Sequence, residues 1–240
     1  MAQSTKPRRR RAPRGQGAAL RGAILEAARQ LLAETGSEEA VSVRSVAEKV
    51  GVTTPSIYRH FKDKDDLMDA VCSDVFGALA NALAKAADGA AGPLDRLLAQ
   101  GRAYIDFALA NSEEYRMVFM GGCAPTNTDD VLTNDCFSQV IAAVGACMEA
   151  GIFPSSPDGP LPVAMRLFAA VHGLAALLIC KPWMPWGDVG SMVEAMLLMC
   201  AAGCSLEGSL ASLAPAELAG ELSVLAGRPA RGKLPGRRRA

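Results

Sequence analysis

Apolar positions recur with helical rather than strand spacing along nearly the whole chain. Leu20, Ile24, Ala28, Leu31 and Leu32 share one face of a helix starting near Ala18, and Gly36 stands where a C-terminal cap belongs. Ser42 is a candidate N-cap for a shorter helix, with Val43, Val46, Ala47 and Val50 as its stripe and Gly51 as its end. Val52 leads to Thr53, a second candidate N-cap. Pro55 then falls in a first helical turn, where its missing N–H costs no hydrogen bond. Ile57 and Phe61, one turn apart, point inward. Asp63 can cap a longer helix running to about Ala87, with Leu67, Val71, Val75 and Leu79 inward.

Beyond Pro93 the spacing predicts helices over 94–110, 113–120, 130–150, 163–180 and 188–206. The segments GGCAPTNTDD, GIFPSSPDGPLP and KPWMPWGD separate them; the two prolines of the last forbid a continuous helix. There is no convincing strand pattern and no internal repeat. The fold class is therefore all-α: an N-terminal three-helix unit over 18–66 and a larger helical domain over 67–226. Residues 1–17 and 227–240 are basic, contain Pro and Gly, lack an apolar period and are expected to be disordered.

Composition sharpens this picture in three ways. Half of the 240 residues are hydrophobic, enough for a sizeable core, and only 5% are aromatic. The formal net charge is zero but unevenly spread: residues 1–68 hold 13 Lys and Arg against 8 Asp and Glu, 69–226 hold 6 against 17, and 227–240 hold 6 against none. A basic front on an acidic body points to a polyanionic partner; soluble basic ends are the plainer alternative. Seven cysteines, an odd number without a CxxC, sit mostly in apolar surroundings, which suggests a reducing cytoplasm and no disulfide framework. Cys200 and Cys204 are one helical turn apart, but lack neighbouring ligands and read as core rather than metal site. The Arg-rich N-terminus lacks the apolar stretch of a signal peptide. The uncharged apolar run 167–180 is too short to span a bilayer, so no membrane association is expected.

The polar residues around 53–64 are the candidate chemistry. In RSVAEKVGVTTPSIYRHF, two short helices joined by GVT have the length and glycine of a helix-turn-helix, whose second helix enters the DNA major groove. Thr53 begins that helix. With Ile57 and Phe61 inward, Thr54, Pro55, Ser56, Tyr58, Arg59 and His60 take its remaining sides. Hydroxyls reach base edges or phosphates, a Pro ring or Thr methyl packs on thymine, and Arg59 reaches guanine. Lys64 is a point charge for the backbone. The plainer alternative is an ordinary three-helix corner with solvated polar faces. The basic arm before it favours the DNA reading.

The stretch VRSVAEKVGVTTPSIYRHFKDKDDLMDAV, preceded by ILEAARQLLAETG, resembles the DNA-binding domain of the TetR family of bacterial transcriptional regulators over about residues 20–70. The shared residues are Ala47, Gly51-Val52, Tyr58-Arg59-His60-Phe61, Lys64 and Leu67. The resemblance implies that Ser42, Val43 and Arg44, at the start of the second helix, contact phosphates and, through Arg44, a base. It implies that Thr54, Pro55 and Ser56 read bases and that Tyr58, His60 and Lys64 contact phosphates. Val43 departs from a commoner Thr. The segments YIDFALANSEEYRMVFMGG and FAAVHGLAALLI are similar to a C-terminal subtype named for Trp-His-Gly, with Val171 in place of the Trp before His172-Gly173.

By the same resemblance, residues about 161–206 form a homodimer interface, and the helical domain binds a small, largely apolar effector. Phe107, Met117, Met120, Phe137, Phe168 and His172 are the candidate effector residues, although each also reads as ordinary core. Trp183 and Trp186 form a lid or anchor their loop. The expectation is a ligand-responsive repressor that binds a pseudo-palindromic operator on double-stranded DNA and needs no cofactor or metal. A non-specific architectural DNA binder is the alternative. A small helical enzyme is disfavoured, because the sequence has two His and no metal-ligand, phosphate-loop or nucleophile motif.

Overall fold

A computed structural model describes residues 16–120, 135–210 and 212–227. Its elements are α1 (Gln16–Thr35), one 3-10 turn (Glu38–Ala40), α2 (Val43–Val50), α3 (Thr54–Ile57), α4 (Lys64–Ala87), α5 (Pro93–Ala110), α6 (Ser112–Met120), α7 (Asp135–Glu149), α8 (Leu161–Cys180), α9 (Val189–Leu210) and α10 (Pro215–Leu225). No strand occurs among the described residues. Most of the expected arm and tail, the GGCAPTNTDD segment and the expected first turn of the 130–150 helix lie outside them. The last residues assigned to the arm, Gln16 and Gly17, already belong to α1. The 3-10 turn and α10 were not anticipated. Neither buries a residue, so neither leaves an apolar stripe to read.

The N-terminal head is held by one core. Ile24, Ala28 and Leu32 of α1 meet Val46 and Ala47 of α2, then Ile57, Phe61, Leu67 and Val71, all buried. Its helix ends are chemically fixed. Ser42 Oγ accepts from Ser45 N–H at 3.0 Å, and Ser45 Oγ accepts from Ser42 N–H at 2.9 Å, a reciprocal capping box. Gly51 adopts φ 75°, a left-handed conformation that favours glycine and lets the Val52 N–H return to Ala47 O at 2.9 Å. Asp63 caps α4 by accepting from Asp66 N–H at 2.9 Å, and this hydrogen bond holds its carboxyl below the usual range.

The body continues from α4, which packs along α5 and α7, while α5 also packs on α8 and α9. Its apolar sides form two cores, one around Ile105, Tyr115 and Ala175, the other around Val144, Phe153 and Ala164. Helix α6 joins body to head. Its Met117 and Val118 enter the head core, while Tyr115 faces the body core. A charged clasp reinforces this joint: Arg29 Nε donates to Glu114 Oε1 at 2.8 Å, and Arg29 Nη1 lies 3.1 Å from Asp74 Oδ2. Glu114 is buried, so this guanidinium is what compensates its charge.

The apolar run at 167–180 is part of a 20-residue helix, because Arg166 and Pro162 are both accommodated inside α8. By length and composition alone, α4, α8 and most of α9 are each long and apolar enough to cross a membrane, which corrects the expectation drawn from the run length. Their packing gives that apolarity another outlet. All three bury sides in the cores above, α4 grows out of the head, and Arg166 pairs with Glu207 across α8 and α9 at 2.6 Å.

The clasp yields a stability prediction. Arg29→Met should destabilise the protein by about 2–4 kcal/mol in urea unfolding, because Glu114 is left buried without its cation. Adding Glu114→Gln should recover a large part of that loss, so the two changes should be clearly non-additive. Simple additivity would mean that the pair does not act as a unit.

Candidate nucleic-acid interface and body cavity

Four residues are too few for a helix to hold itself in water. Helix α3 is instead fixed from below and from its ends. Ile57 is 0% and Phe61 2% exposed, and the Arg21 guanidinium lies over the Phe61 ring at 5.1 Å. The Ser56 N–H donates to Thr53 O at 2.7 Å, and the Phe61 N–H donates to Ile57 O at 3.1 Å. With these hydrocarbons inward, Thr53, Pro55, Tyr58 and Arg59 are exposed, and Thr54, Ser56, His60 and Lys64 are partly so. Thr53 occupies the N-cap position, but its hydroxyl does not cap the backbone. It lies 3.0 Å from Ser56 Oγ, which also accepts from Arg59 Nη2 at 3.0 Å. Lys64 Nζ donates to the Glu38 carbonyl at 2.9 Å.

At the start of α2, Ser42 is partly exposed and Arg44 projects outward with its side chain 85% exposed, paired to Glu48 one turn on at 2.9 Å. Val43 differs from its neighbours. Its side chain is buried in the head core, so only its backbone can face a partner. The helical period explains this: Val43 is three residues before Val46 and shares its face.

Of the residues proposed for the effector, Phe137, Phe168 and His172 come together, with Phe168 stacked on His172 at 5.4 Å, whereas Met117 and Met120 do not join them. Met117 is buried in the head core, Met120 is 41% exposed, and Phe107 lies against both cores. The reason is that α6 turns its apolar side to the head as well as to the body. Phe168 alone of the set lines the body cavity, with Phe137 packed edge-on against it at 5.7 Å. That cavity, of about 50 Å³, lies among Leu83 of α4, Leu97, Gln100, Gly101 and Tyr104 of α5, Val140 of α7, Phe168 and Val171 of α8, and Leu197 and Cys200 of α9. Gly101 makes the helix approach possible, since a Cβ there would stand 2.6 Å from Leu197 Cδ2. Gln100 is 4% exposed, and its Oε1 has no hydrogen-bond partner among the described residues. Such an orphan costs about 1–3 kcal/mol. It was legible as a polar residue between Leu97 and Tyr104 on the apolar stripe of α5.

His172 joins a polar triangle beside the cavity. Its Nδ1 is hydrogen-bonded to the hydroxyls of Tyr115 and Tyr104, and these lie 3.0 Å apart. Burial pushes the Tyr115 hydroxyl up to about 12 and Tyr104 higher still, so both stay protonated. Burial also lowers the His172 pKa, favouring a neutral ring. Trp186 anchors the α8–α9 loop, donating through Nε1 to Lys181 O at 2.8 Å, whereas Trp183 is 76% exposed. No cluster of three or more metal-ligating side chains occurs among the described residues.

Comparison with known proteins agrees with this layout. Residues 24–71 match the sequence family "Bacterial regulatory proteins, tetR family", and residues 97–199 match "Tetracyclin repressor-like, C-terminal domain". The HTH-type transcriptional activator FasR of Mycolicibacterium smegmatis is 29% identical over 159 residues, covering 66% of this chain and 68% of FasR. The HTH-type transcriptional repressor KstR2 of Mycobacterium tuberculosis is 34% identical over 83 residues, covering 35% of this chain and 41% of KstR2. A solved structure of a protein of unknown function from Rhodococcus sp. RHA1 superposes with TM-score 0.68 at 26% identity, covering 81% of this chain and 100% of that one. The chain belongs to the TetR family, with a helix-turn-helix head and a larger helical C-terminal domain, and its curated relatives are transcription regulators.

The triangle generates a pH prediction. Because folding disfavours the charged imidazole, the folded state binds fewer protons than the unfolded chain below the ordinary value of 6.5. The stability contributed by the neutral ring is present above that value and lost as pH falls below it. The lowered carboxyls of Asp63 and Asp188 lose their contributions only below the ordinary carboxylate value of 3.8, so the windows separate. The urea midpoint should fall between about pH 7 and about pH 5, and His172→Gln should flatten that fall. An unchanged slope in the variant would remove His172 as the responsible group.

Proposed function

We propose that this protein is a ligand-responsive repressor that reads a pseudo-palindromic operator as a homodimer. The observation that carries the reading is the arrangement of α3 and the turn after it: two buried hydrocarbons, Ile57 and Phe61, turn a set of hydroxyl and cationic side chains to solvent. Thr54, Pro55 and Ser56 at its entry end contact bases, and Tyr58, His60 and Lys64 contact phosphates. Arg59 and Thr53 hold the Ser56 hydroxyl in place and reach the backbone themselves. Ser42, Arg44 and the Val43 backbone at the start of α2 supply a second row, with Arg44 free to leave Glu48 for a guanine edge. Helix N-termini favour phosphate, which suits the start of α2.

A second copy completes the body. Met165, Leu177, Leu198 and Met199 of α8 and α9 are between 47% and 68% exposed. Those on α8 continue through Ala169 and Gly173, and those on α9 through Ala195 and Ala202, as accessible stripes at helical spacing. Isologous pairing of the 161–206 region would cover both stripes and set two heads side by side. This second copy, rather than lipid, is the partner we assign to them, in a protein working in the cytoplasm on duplex DNA. KstR2 is named a repressor and FasR an activator, so repression is our choice between two signs found among the relatives, and no catalytic role is assigned.

The effector is a small, largely apolar molecule entering the cavity between α5, α8 and α9. Its volume of about 50 Å³ is far below that of a typical ligand pocket, so binding must move the lining helices apart. That requirement is what makes the cavity a switch. A ligand that fits only an expanded body shifts the population toward conformers with altered head spacing. The chain of contacts from Tyr104 through Tyr115 to α6, and from Glu114 to Arg29 of α1, gives that expansion a route to the head.

Base reading and phosphate contact are separable experimentally. Arg44→Ala or Ser56→Ala should each cost about 1–3 kcal/mol on the preferred duplex and relax specificity at one position, measured by fluorescence anisotropy on single-base variants. Equal losses on random duplexes would argue against base reading. Lys64→Gln, which keeps a donor for the Glu38 carbonyl, should weaken binding on all sequences and lower the log–log salt slope by about one. A slope equal to the parent's would take Lys64 off the phosphate list.

A further inference from the structure

We infer that Gln100 selects an effector bearing a neutral hydroxyl, so that the cavity takes monohydroxylated hydrocarbons in preference to hydrocarbons, ethers or carboxylates of the same size. The inference rests on the effector reading above and specifies its ligand class. Among the residues lining the cavity, Leu83, Val140, Phe168, Val171 and Leu197 are purely hydrocarbon. The Tyr104 hydroxyl is already engaged by Tyr115 and His172. Against those walls Gln100 is 4% exposed, and its carbonyl oxygen, buried from solvent, has no partner among the described residues.

An orphan carbonyl is answered only by a donor. A hydroxyl donates and also accepts, so it serves whichever way the carboxamide is turned. An ammonium group would donate too, but would carry a charge into apolar walls. A carboxylate would bring both a charge and a second acceptor against the Gln100 oxygen. An ether has only acceptor capacity. A water molecule needs two to four polar partners to be held, and the hydrocarbon lining around Gln100 offers few. A neutral hydroxyl on an apolar frame is therefore the group whose chemistry matches both parts of the site. Sites built to bond a hydroxyl reject analogues lacking it, because their own polar group is then left unpaired.

The test uses the full-length protein and ligands of closely matched size: n-octanol, heptyl methyl ether and n-octanoate, titrated calorimetrically. Wild-type protein should bind n-octanol at least roughly tenfold more tightly than the ether or the carboxylate. In Gln100→Leu, the alcohol's advantage over the ether should shrink to about twofold or less, while the ether binds no worse than before. Gln100→Met serves as a second variant, and circular dichroism with operator binding checks that each is folded. If wild-type protein binds alcohol and ether equally, or if the preference survives in both variants, the assignment to Gln100 is wrong while the cavity remains an effector site. If none of the three ligands binds a wild-type protein that still binds its operator, the cavity is not the effector site, and both readings fall together.

Discussion

The head depends on the burial of two side chains, Ile57 and Phe61. A four-residue helix has almost no stability of its own, and its N-cap residue does not cap it through its side chain. What orients it is a core already assembled from α1, α2 and the start of α4, into which these two hydrocarbons fit. Once they are buried, the short helix and the turn that follows it leave Thr54, Pro55, Ser56, Tyr58 and Arg59 on the outer side. The orientation of this surface thus follows from packing beneath it. Substitutions of the polar residues can change recognition without touching the fold, whereas shrinking Ile57 would disturb every contact at once.

The same economy appears at the joint between head and body. Helix α6 is short, yet its successive residues serve different masters: Glu114 takes Arg29 of α1, Tyr115 joins Tyr104 and His172, and Met117 and Val118 enter the head core. A displacement of α5 or α8 around the cavity must therefore be absorbed by α6 or passed to α1. Close packing makes absorption difficult, because well-packed cores switch between arrangements rather than deform smoothly. The buried carboxylate of Glu114 adds cost to any arrangement that separates it from Arg29. These features make the joint stiff, as the proposed ligand response requires.

The legibility of the sequence followed burial. Helices with an apolar stripe, such as α1, α2 and α4 with Leu67, Val71, Val75 and Leu79, were readable to within a residue or two, because periodicity reports which side is dry, whereas α3 ends at Ile57, four residues short of the Phe61 expected on it. The capping signals at Ser42, Gly51 and Asp63 were readable because each rests on local chemistry. Helix α10 was missed because it buries nothing. The cavity lining was legible only in part: Phe168 lines it, with Phe137 and His172 packed against Phe168. Met117 and Phe107 look like pocket residues by type, but whether an apolar side chain lines a space or fills one depends on contacts between distant helices. Gln100 was the stronger clue: a polar side chain on a dry stripe marks a place where the core has a requirement that hydrocarbon does not meet. At Val43 the two signals disagreed: the stripe of Val43, Val46, Ala47 and Val50 turns its side chain inward, as found, while the family resemblance implies a DNA contact that only its backbone can make.

The central claim is that the outward face of α3 reads duplex DNA, twice per dimer. The most direct measurement is selection of bound sequences from a random duplex pool by the purified full-length protein at moderate salt. The account predicts enrichment of a two-fold symmetric sequence whose half-sites are separated by about one helical turn, roughly 34–36 Å centre to centre, or a small multiple of it. Recovery of duplexes with no shared motif, bound with a steep salt dependence alone, would contradict it and leave only the charge of the basic segments to explain binding.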